Sequence, residues 1–160
     1  MGMQPVFESF KDYGHERGFS TAFRQWAAKS HCCLFHGYAL RFSFVFRAAV
    51  LDQNNWVVDF GGLKPLEAAL KENFDHKTCV AEDDPLLPQI MDLTNAGAFD
   101  LNVMSKVGCE AFAEFAYNLA NDIVMKLTDN RAWCHKASVW EHGSNGASFS
   151  FKNANPIAFR

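Results

Sequence analysis

A short loop ahead of the most regular apolar stretch of the chain carries two adjacent thiols and an imidazole. Cys32 and Cys33 lie just before His36. A thiol reacts as its thiolate, which a nearby cationic group favours, so this loop could supply a nucleophile or a proton carrier. A cysteine and a histidine also meet in loops without any chemical role, and the sequence does not decide which of the two thiols would react.

Two further positions combine groups that could transfer protons or bind a cationic ligand. Asp75 and His76 follow a predicted helix, where the carboxylate could orient the imidazole, or where both could simply form a solvated helix end. Glu141 lies in an apolar strand, and burying a carboxylate without a partner is costly. A ligand with a guanidine-like edge could pair with it through two parallel hydrogen bonds. An outward-facing strand residue explains Glu141 equally well.

Hydrophobic periodicity predicts the elements that would position these groups. We predict strands over residues 18–24, 37–51, 56–60, 99–103, 132–142 and 147–152. We predict helices over residues 63–74 and 109–127, and a short helix before Gly97. Residues 1–15 show little periodicity and are predicted to be an arm that is mobile or docked at an interface. Residues 143–146 are predicted to form a four-residue hairpin loop.

The order of these elements predicts an α+β fold for a single domain over residues 1–160, with its core over about 18–152. Two main helices would cover one face of an antiparallel four-stranded sheet. The other face also needs cover if it is apolar, and two helices cannot cover both. We therefore expect a homo-oligomer.

Composition excludes several classes of protein. The 160 residues carry a net charge of -3 without a long basic run, so we expect no nucleic-acid partner. No stretch reaches the roughly 20 apolar residues that span a bilayer, so we expect no membrane partner. The first residues lack an apolar signal core, which predicts a cytoplasmic protein. Five cysteines without framework spacing argue against a disulfide scaffold.

The motifs occur in an order that resembles the 6-pyruvoyl-tetrahydropterin synthase / 6-carboxytetrahydropterin synthase family. Residues 32–37 resemble its cysteine, short spacer and His-Gly-His segment, and residues 74–76 resemble its Leu-Asp-His motif. Residues 107–110 stand where the family has Pro-Thr-x-Glu. Residues 139–141 resemble its strand that ends in a pterin-binding Glu. The resemblance spans about residues 18–152.

The resemblance implies a T-fold that assembles as trimers or hexamers into an oligomeric barrel, with active sites between subunits. It implies a lyase acting on 7,8-dihydroneopterin triphosphate. The short spacer resembles the bacterial branch, which forms 6-carboxytetrahydropterin for deazaguanine (queuosine-type) synthesis. By position, the catalytic residues would be Cys32, Asp75 and His76, while Glu141 and, less directly, Glu110 would bind the substrate.

The family's zinc site is altered in this sequence. The three histidine positions appear here as Phe23, His36 and Tyr38. A phenylalanine cannot bind a metal and a tyrosine rarely binds zinc, so His36 remains, with His31 as the nearest replacement ligand. Two alternatives therefore stay open: a non-catalytic protein that binds a pterin or purine, and a metal-free aldolase or epimerase that uses Cys32 and His76 as acid and base.

Overall fold

A computed structural model describes residues 5–152 of the chain. Its strands are β1 (Phe7–Tyr13), β2 (Phe19–Phe23), β3 (His36–Ala48), β4 (Lys77–Ala81), β5 (Leu101–Met104), β6 (Ala132–His142) and β7 (Asn145–Phe149). Its helices are α1 (Lys64–Phe74), α2 (Leu87–Asn95) and α3 (Cys109–Leu127). Among the described residues, no helix is long and apolar enough to cross a membrane.

Strand β3 is the centre of the sheet. The order is β5-β4-β2-β3-β6-β7, with β1 also paired to β3. Because β3 has 13 residues, β2 pairs with its first part and β1 with its remainder, while β6 pairs along its other edge. Strand β3 therefore contributes both to the core and to the end of the sheet where the candidate site lies.

The inner face of β3 forms the core, as its alternating pattern predicts. Leu40, Phe42, Phe44, Phe46 and Ala48 are fully buried on this face. Helices α1 and α3 pack against it, and the Phe74 ring at the end of α1 lies 4.9 Å from that of Phe42 and 5.2 Å from that of Phe112. This aromatic packing fixes the end of α1, from which Asp75 and His76 follow directly.

The outer face of β3 is polar and only partly buried. Arg41 pairs with Asp12 and Arg47 with Glu8, so the two ion pairs join β3 to β1. Phe10 on the same face of β1 is 66% exposed. The predicted oligomer would cover this face, and it remains a prediction.

The predicted α+β class is confirmed, but the sheet differs from the four-stranded antiparallel sheet that we expected. The described residues form seven strands, and β4 pairs in parallel with both β2 and β5. Strand β4 escaped prediction because its last four residues are all buried, which gives it no period-two alternation. The strands that pair with β4 are distant in sequence, so the tertiary fold and not the local sequence determines this pairing.

Two local predictions are wrong for the same reason, namely that backbone partners lie far away in sequence. Residues 7–13 are strand β1 and not an arm, because they pair with β3; residues 1–4 lie outside the described part. Residues 56–60 form no strand. Instead, the Arg131 guanidinium donates to the carbonyl oxygens of Val50, Trp56 and Val57 and takes the place of a strand partner.

The boundaries of the other elements are close to those predicted. Helix α3 has the predicted bounds, although its buried side includes Ala113, Tyr117 and Ala120, while Leu127 is 44% exposed. Small alanines on that side allow the helix to approach the sheet closely. The β6–β7 connection is shorter than predicted, because Asn145 already pairs with His142.

Candidate active site

Three rings meet where β2 ends and β3 begins. Phe23 pairs with His36 and Thr21 with Tyr38 across these antiparallel strands. The Phe23 ring centroid lies 4.8 Å from that of His36 and 6.2 Å from that of Tyr38, and the His36 and Tyr38 rings are 5.6 Å apart. The strand register therefore gathers three positions that are 13 and 2 residues apart in the sequence.

Ionisable groups from three other elements surround Tyr38. Burial raises the pKa of Tyr38, and the nearby side chains of Glu141, Cys32 and Cys109 raise it further. A phenol with a raised pKa keeps its proton at neutral pH and can donate a hydrogen bond. Glu141 lies near the end of β6, Cys109 begins α3, and Cys32 lies in the loop before β3. We call this region around Tyr38 the pocket.

Cys109 and Glu141 lie close enough to interact electrostatically. Burial raises the pKa of the Cys109 thiol to about 12, and the charges of Glu141 and Glu110 add to this. Cys109 is thus a neutral hydrogen-bond donor in this pocket, while half-buried Glu141 keeps part of its carboxylate accessible. Glu110 is exposed in the first turn of α3.

Gly108, directly before α3, has a backbone that other residues rarely adopt. Its φ is +114°, and a Cβ at this position would lie 2.7 Å from Gln25 Nε2. The family motif places a β-branched threonine here, which would be strained in this conformation. The Gln25 amide occupies the space beside Gly108, so the chain departs from the family in this part of the pocket.

The Cys32 loop is held in a defined shape. Residues 31–33 form a single 3-10 turn, and the Ser30 side chain accepts from the Cys32 backbone N–H at 3.4 Å. Cys32 and Cys33 are both half-buried. Of the two thiols, the Cys32 thiol is the one whose charge acts on Tyr38, whereas that of Cys33 acts on Arg24. This difference agrees with the choice of Cys32 as the reactive thiol, which stays a prediction.

Asp75 and His76 form a dyad between α1 and β4, and β2 separates β4 from β3, which carries Tyr38. His76 Nδ1 lies 2.6 Å from Asp75 Oδ1, so the carboxylate does orient the imidazole. The His76 side chain is 82% exposed, while that of Asp75 is 16% exposed. Within residues 5–152, no hydrogen bond or ion pair links either residue to Cys32 or Glu141.

The zinc ligands implied by the resemblance do not fit the residues present. The three corresponding positions do converge, but Phe23 offers no donor atom, and the raised pKa of Tyr38 opposes the phenolate form that would bind a metal. His36 Nδ1 lies 2.8 Å from the Leu34 carbonyl oxygen, and His31 is exposed in the loop. In the described part of the chain, no group of three or more His, Cys, Asp or Glu residues could hold a metal ion.

The charges of Cys32 and Glu141, both predicted as site residues, act on Tyr38, and their catalytic and binding roles stay predictions. The sequence predicts Tyr38 only as an altered ligand position and assigns no role to Cys109. The available signal for Cys109 was its position at the start of a long helix beside Glu110. Its proximity to Glu141, 32 residues further on, is decided by the packing of α3 against β6.

Comparisons with known proteins identify the family and the fold. The family described as 6-pyruvoyl tetrahydropterin synthase matches residues 14–152. Comparison with curated proteins gives no match. An uncharacterized protein from Wolinella succinogenes is similar in structure, with a TM-score of 0.77 and 16% identity over 92% of this chain and 99% of that one.

Two structures of named synthases are also similar. A Plasmodium vivax 6-pyruvoyltetrahydropterin synthase, in a variant with a catalytic glutamate replaced by cysteine, gives a TM-score of 0.65 and 16% identity over 91% of this chain and 97% of that one. The Caenorhabditis elegans 6-pyruvoyl tetrahydropterin synthase gives 0.60 and 15% over 95% and 100%. These likenesses confirm the predicted T-fold. With a family match over residues 14–152, the chain belongs to the 6-pyruvoyl tetrahydropterin synthase family.

Proposed function

We propose that this protein is a pterin-binding lyase of the 6-carboxytetrahydropterin synthase type, acting on 7,8-dihydroneopterin triphosphate. The observation that carries the proposal is the convergence of Cys32, Cys109 and Glu141 around Tyr38. These groups can recognise a polar heterocycle and transfer a proton within one pocket. Family membership supports a tetrahydropterin synthase-like activity; the product, its use in deazaguanine synthesis and a cytoplasmic location remain predictions from the resemblance.

Glu141 is the group that would bind the pterin ring. A carboxylate can accept two parallel hydrogen bonds from the guanidine-like edge of a pterin. The charge of this carboxylate helps to keep the neighbouring Cys109 thiol protonated. The remaining acceptor capacity of the half-buried carboxylate is open to a ligand.

Cys32 is the group that would move protons on the substrate side chain. Cys32 is half-buried and lies near enough to Tyr38 for the two groups to interact electrostatically. The neutral Tyr38 phenol can donate a hydrogen bond to an oxygen on which negative charge develops. Proton transfer by a positioned side chain contributes about 100- to 10,000-fold in rate.

The Asp75–His76 dyad would complete the site of a neighbouring subunit. Its imidazole is exposed and oriented by a carboxylate, which suits a proton carrier, but it lacks a hydrogen bond to the pocket of its own chain within residues 5–152. Active sites between subunits, as the resemblance implies, would bring the dyad of one copy to the pocket of another. The trimer or hexamer is part of this proposal.

A second candidate function is a metal-free aldolase or epimerase acting on dihydroneopterin. The Phe23–His36–Tyr38 cluster favours it, because it replaces metal ligands by rings that cannot bind zinc in this form. His36 can donate from Nδ1 to the Leu34 carbonyl oxygen, which leaves Nε2 free to accept a proton. In this reading His36 joins Cys32 and His76 in acid–base chemistry, and no metal takes part.

A product assay combined with metal analysis separates these functions. The purified protein is incubated with 7,8-dihydroneopterin triphosphate and, separately, with dihydroneopterin, before and after treatment with a chelator. Loss of the triphosphate supports the synthase-type lyase, and side-chain cleavage or epimerisation of dihydroneopterin that survives the chelator supports the second candidate. Pterin binding without turnover of either compound would contradict both enzymatic functions and indicate a non-catalytic pterin-binding protein.

The matched control is Phe23→His combined with Tyr38→His, which restores three histidines at positions whose rings already lie within 6.2 Å of each other. We expect this variant to take up zinc when the parent does not. Equal zinc content in the two proteins would show that the parent holds a metal through other ligands.

A further inference from the structure

A buried ion pair joins the loop of Cys32 to the segment that follows β4. Arg24 directly follows β2, and Asp84 lies shortly after the end of β4. Because β2 and β4 are parallel neighbours, with Phe23 opposite Cys79, their carboxyl ends meet at the same edge of the sheet. The Asp84 side chain is 1% exposed and that of Arg24 is 13% exposed, so both charges are withdrawn from water.

The ion pair has the geometry of a two-pronged hydrogen bond. Arg24 donates from Nε to Asp84 Oδ2 at 2.8 Å and from Nη2 to Oδ1 at 2.6 Å. The Leu86 backbone N–H also donates to Asp84 Oδ1, at 2.8 Å. Since both oxygens of Asp84 are engaged, the plane of the guanidinium is fixed, and its remaining nitrogen has a defined direction.

That remaining nitrogen holds the loop of the candidate thiol. Arg24 Nη1 donates to the Cys33 carbonyl oxygen at 3.2 Å, and the adjacent Gln25 backbone N–H donates to the Cys32 carbonyl oxygen at 2.9 Å. Trp26 Nε1 donates to Asp83 Oδ1 at 3.1 Å, which ties the same loop to the same segment. The carbonyl oxygens of Cys32 and Cys33 are therefore both held by residues 24–25, and Arg24 is in turn held by Asp84.

We propose that Arg24 and Asp84 are positioning residues that hold the Cys32 thiol in place beside Tyr38. The role depends on the proposed function only in that Cys32 is taken as the reactive thiol. A lysine at position 24 would keep the charge but could not pair with both oxygens of Asp84 and also reach the Cys33 carbonyl. A buried ion pair does not by itself imply that it stabilises the fold. The hydrogen bond from Arg24 to the Cys32 loop is therefore the feature that gives this pair a specific role.

The test measures the alkylation rate of each cysteine in the folded protein, using iodoacetamide and peptide mass spectrometry. The variants are Arg24→Lys and Asp84→Asn, and the matched control is Arg17→Gln, which breaks an exposed ion pair with Glu67 elsewhere in the fold. Buried Cys79 and Cys134, which lie outside the pocket, report global opening in the same sample. Turnover and pterin binding are measured in parallel.

We expect both variants to raise the alkylation rate of Cys32 several-fold, while buried Cys79 and Cys134 and the control protein react as in the parent. With an active enzyme, kcat should fall and KM should change little. Unchanged alkylation of Cys32 together with a lowered melting temperature would overturn the proposal. The ion pair would then only stabilise the fold. Exposure of the buried cysteines in both variants would overturn it too, because the pair would then hold the whole fold. Altered Cys32 reactivity in a protein without turnover would support positioning and reject the proposed function instead.

Discussion

The pocket around Tyr38 and the Asp75–His76 dyad differ in exposure and in the elements that supply them. Cys32, Cys109 and Glu141 come from separate elements, and their charges act on a half-buried phenol. The dyad has an imidazole oriented by the Asp75 carboxylate, and the His76 side chain is 82% exposed. This difference is the basis of our proposal that the dyad of one copy serves the pocket of another.

The largest effect should come from the thiol of the pocket. We expect Cys32→Ala to lower turnover by about 100- to 10,000-fold while leaving pterin affinity nearly unchanged, because an acid–base group is lost and the pterin contact is kept. Cys33→Ala is the matched control and should do little. If Cys33→Ala lowered turnover and Cys32→Ala did not, Cys33 would be the reactive thiol. If neither change lowered turnover, the mechanism would not use a thiol of this loop.

The next effect concerns recognition. Glu141→Gln should weaken pterin binding by about 1.5–3 kcal/mol, because a charged pair of hydrogen bonds is replaced by neutral ones. Isothermal titration with a non-reacting pterin measures this change. Glu110→Gln, in the exposed first turn of α3, should weaken binding less. A Glu141→Gln protein that binds as tightly as the parent would place the pterin elsewhere.

Mixing two inactive variants tests the division between pocket and dyad directly. Cys32→Ala and His76→Ala should each be inactive alone, yet subunits exchanged between them should regain activity. At equal amounts, about a quarter of the sites would combine an intact pocket with an intact dyad from different copies. Activity is measured after refolding the mixture together. If refolded mixtures of subunits stay inactive while the parent refolds to full activity, the pocket and dyad belong to the same chain or do not cooperate.

The smallest effect concerns the Arg24–Asp84 ion pair and how the free energy of unfolding changes at acidic pH. The hydrogen bonds from Arg24 hold the pKa of Asp84 below its usual range. The stabilisation is therefore present above the unfolded pKa of about 3.9 and is lost as the pH falls through the lower folded pKa, with about 1.4 kcal/mol for each unit of difference. Urea unfolding at a series of acidic pH values should show a shallower pH dependence for Asp84→Asn than for the parent. Parallel curves would mean that Asp84 titrates normally.

Local patterns explain which elements could be predicted. Strand β3 alternates over most of its length, and helix α3 repeats apolar residues at helical spacing, so each carries its own signal. Strands β1 and β4 do not. Strand β1 is defined by its pairing with β3, 29 to 41 residues later, and β4 by parallel neighbours on both sides. Backbone hydrogen bonds between distant segments do not require a hydrophobic periodicity in the sequence of either segment.

By itself, the sequence determined the order of the chemical groups, the α+β class and the family resemblance, because side-chain type and periodicity are local properties of the chain. It also placed Phe23 and Tyr38 at altered ligand positions, and the β2–β3 register brings those rings together with His36. Only the tertiary structure decided that Cys109 lies near Glu141, that Arg24 anchors the Cys32 loop, and that the His76 side chain is exposed while that of Asp75 is mostly buried. Such contacts depend on how strands pair and how α3 lies on the sheet, and the packing of the whole chain sets both.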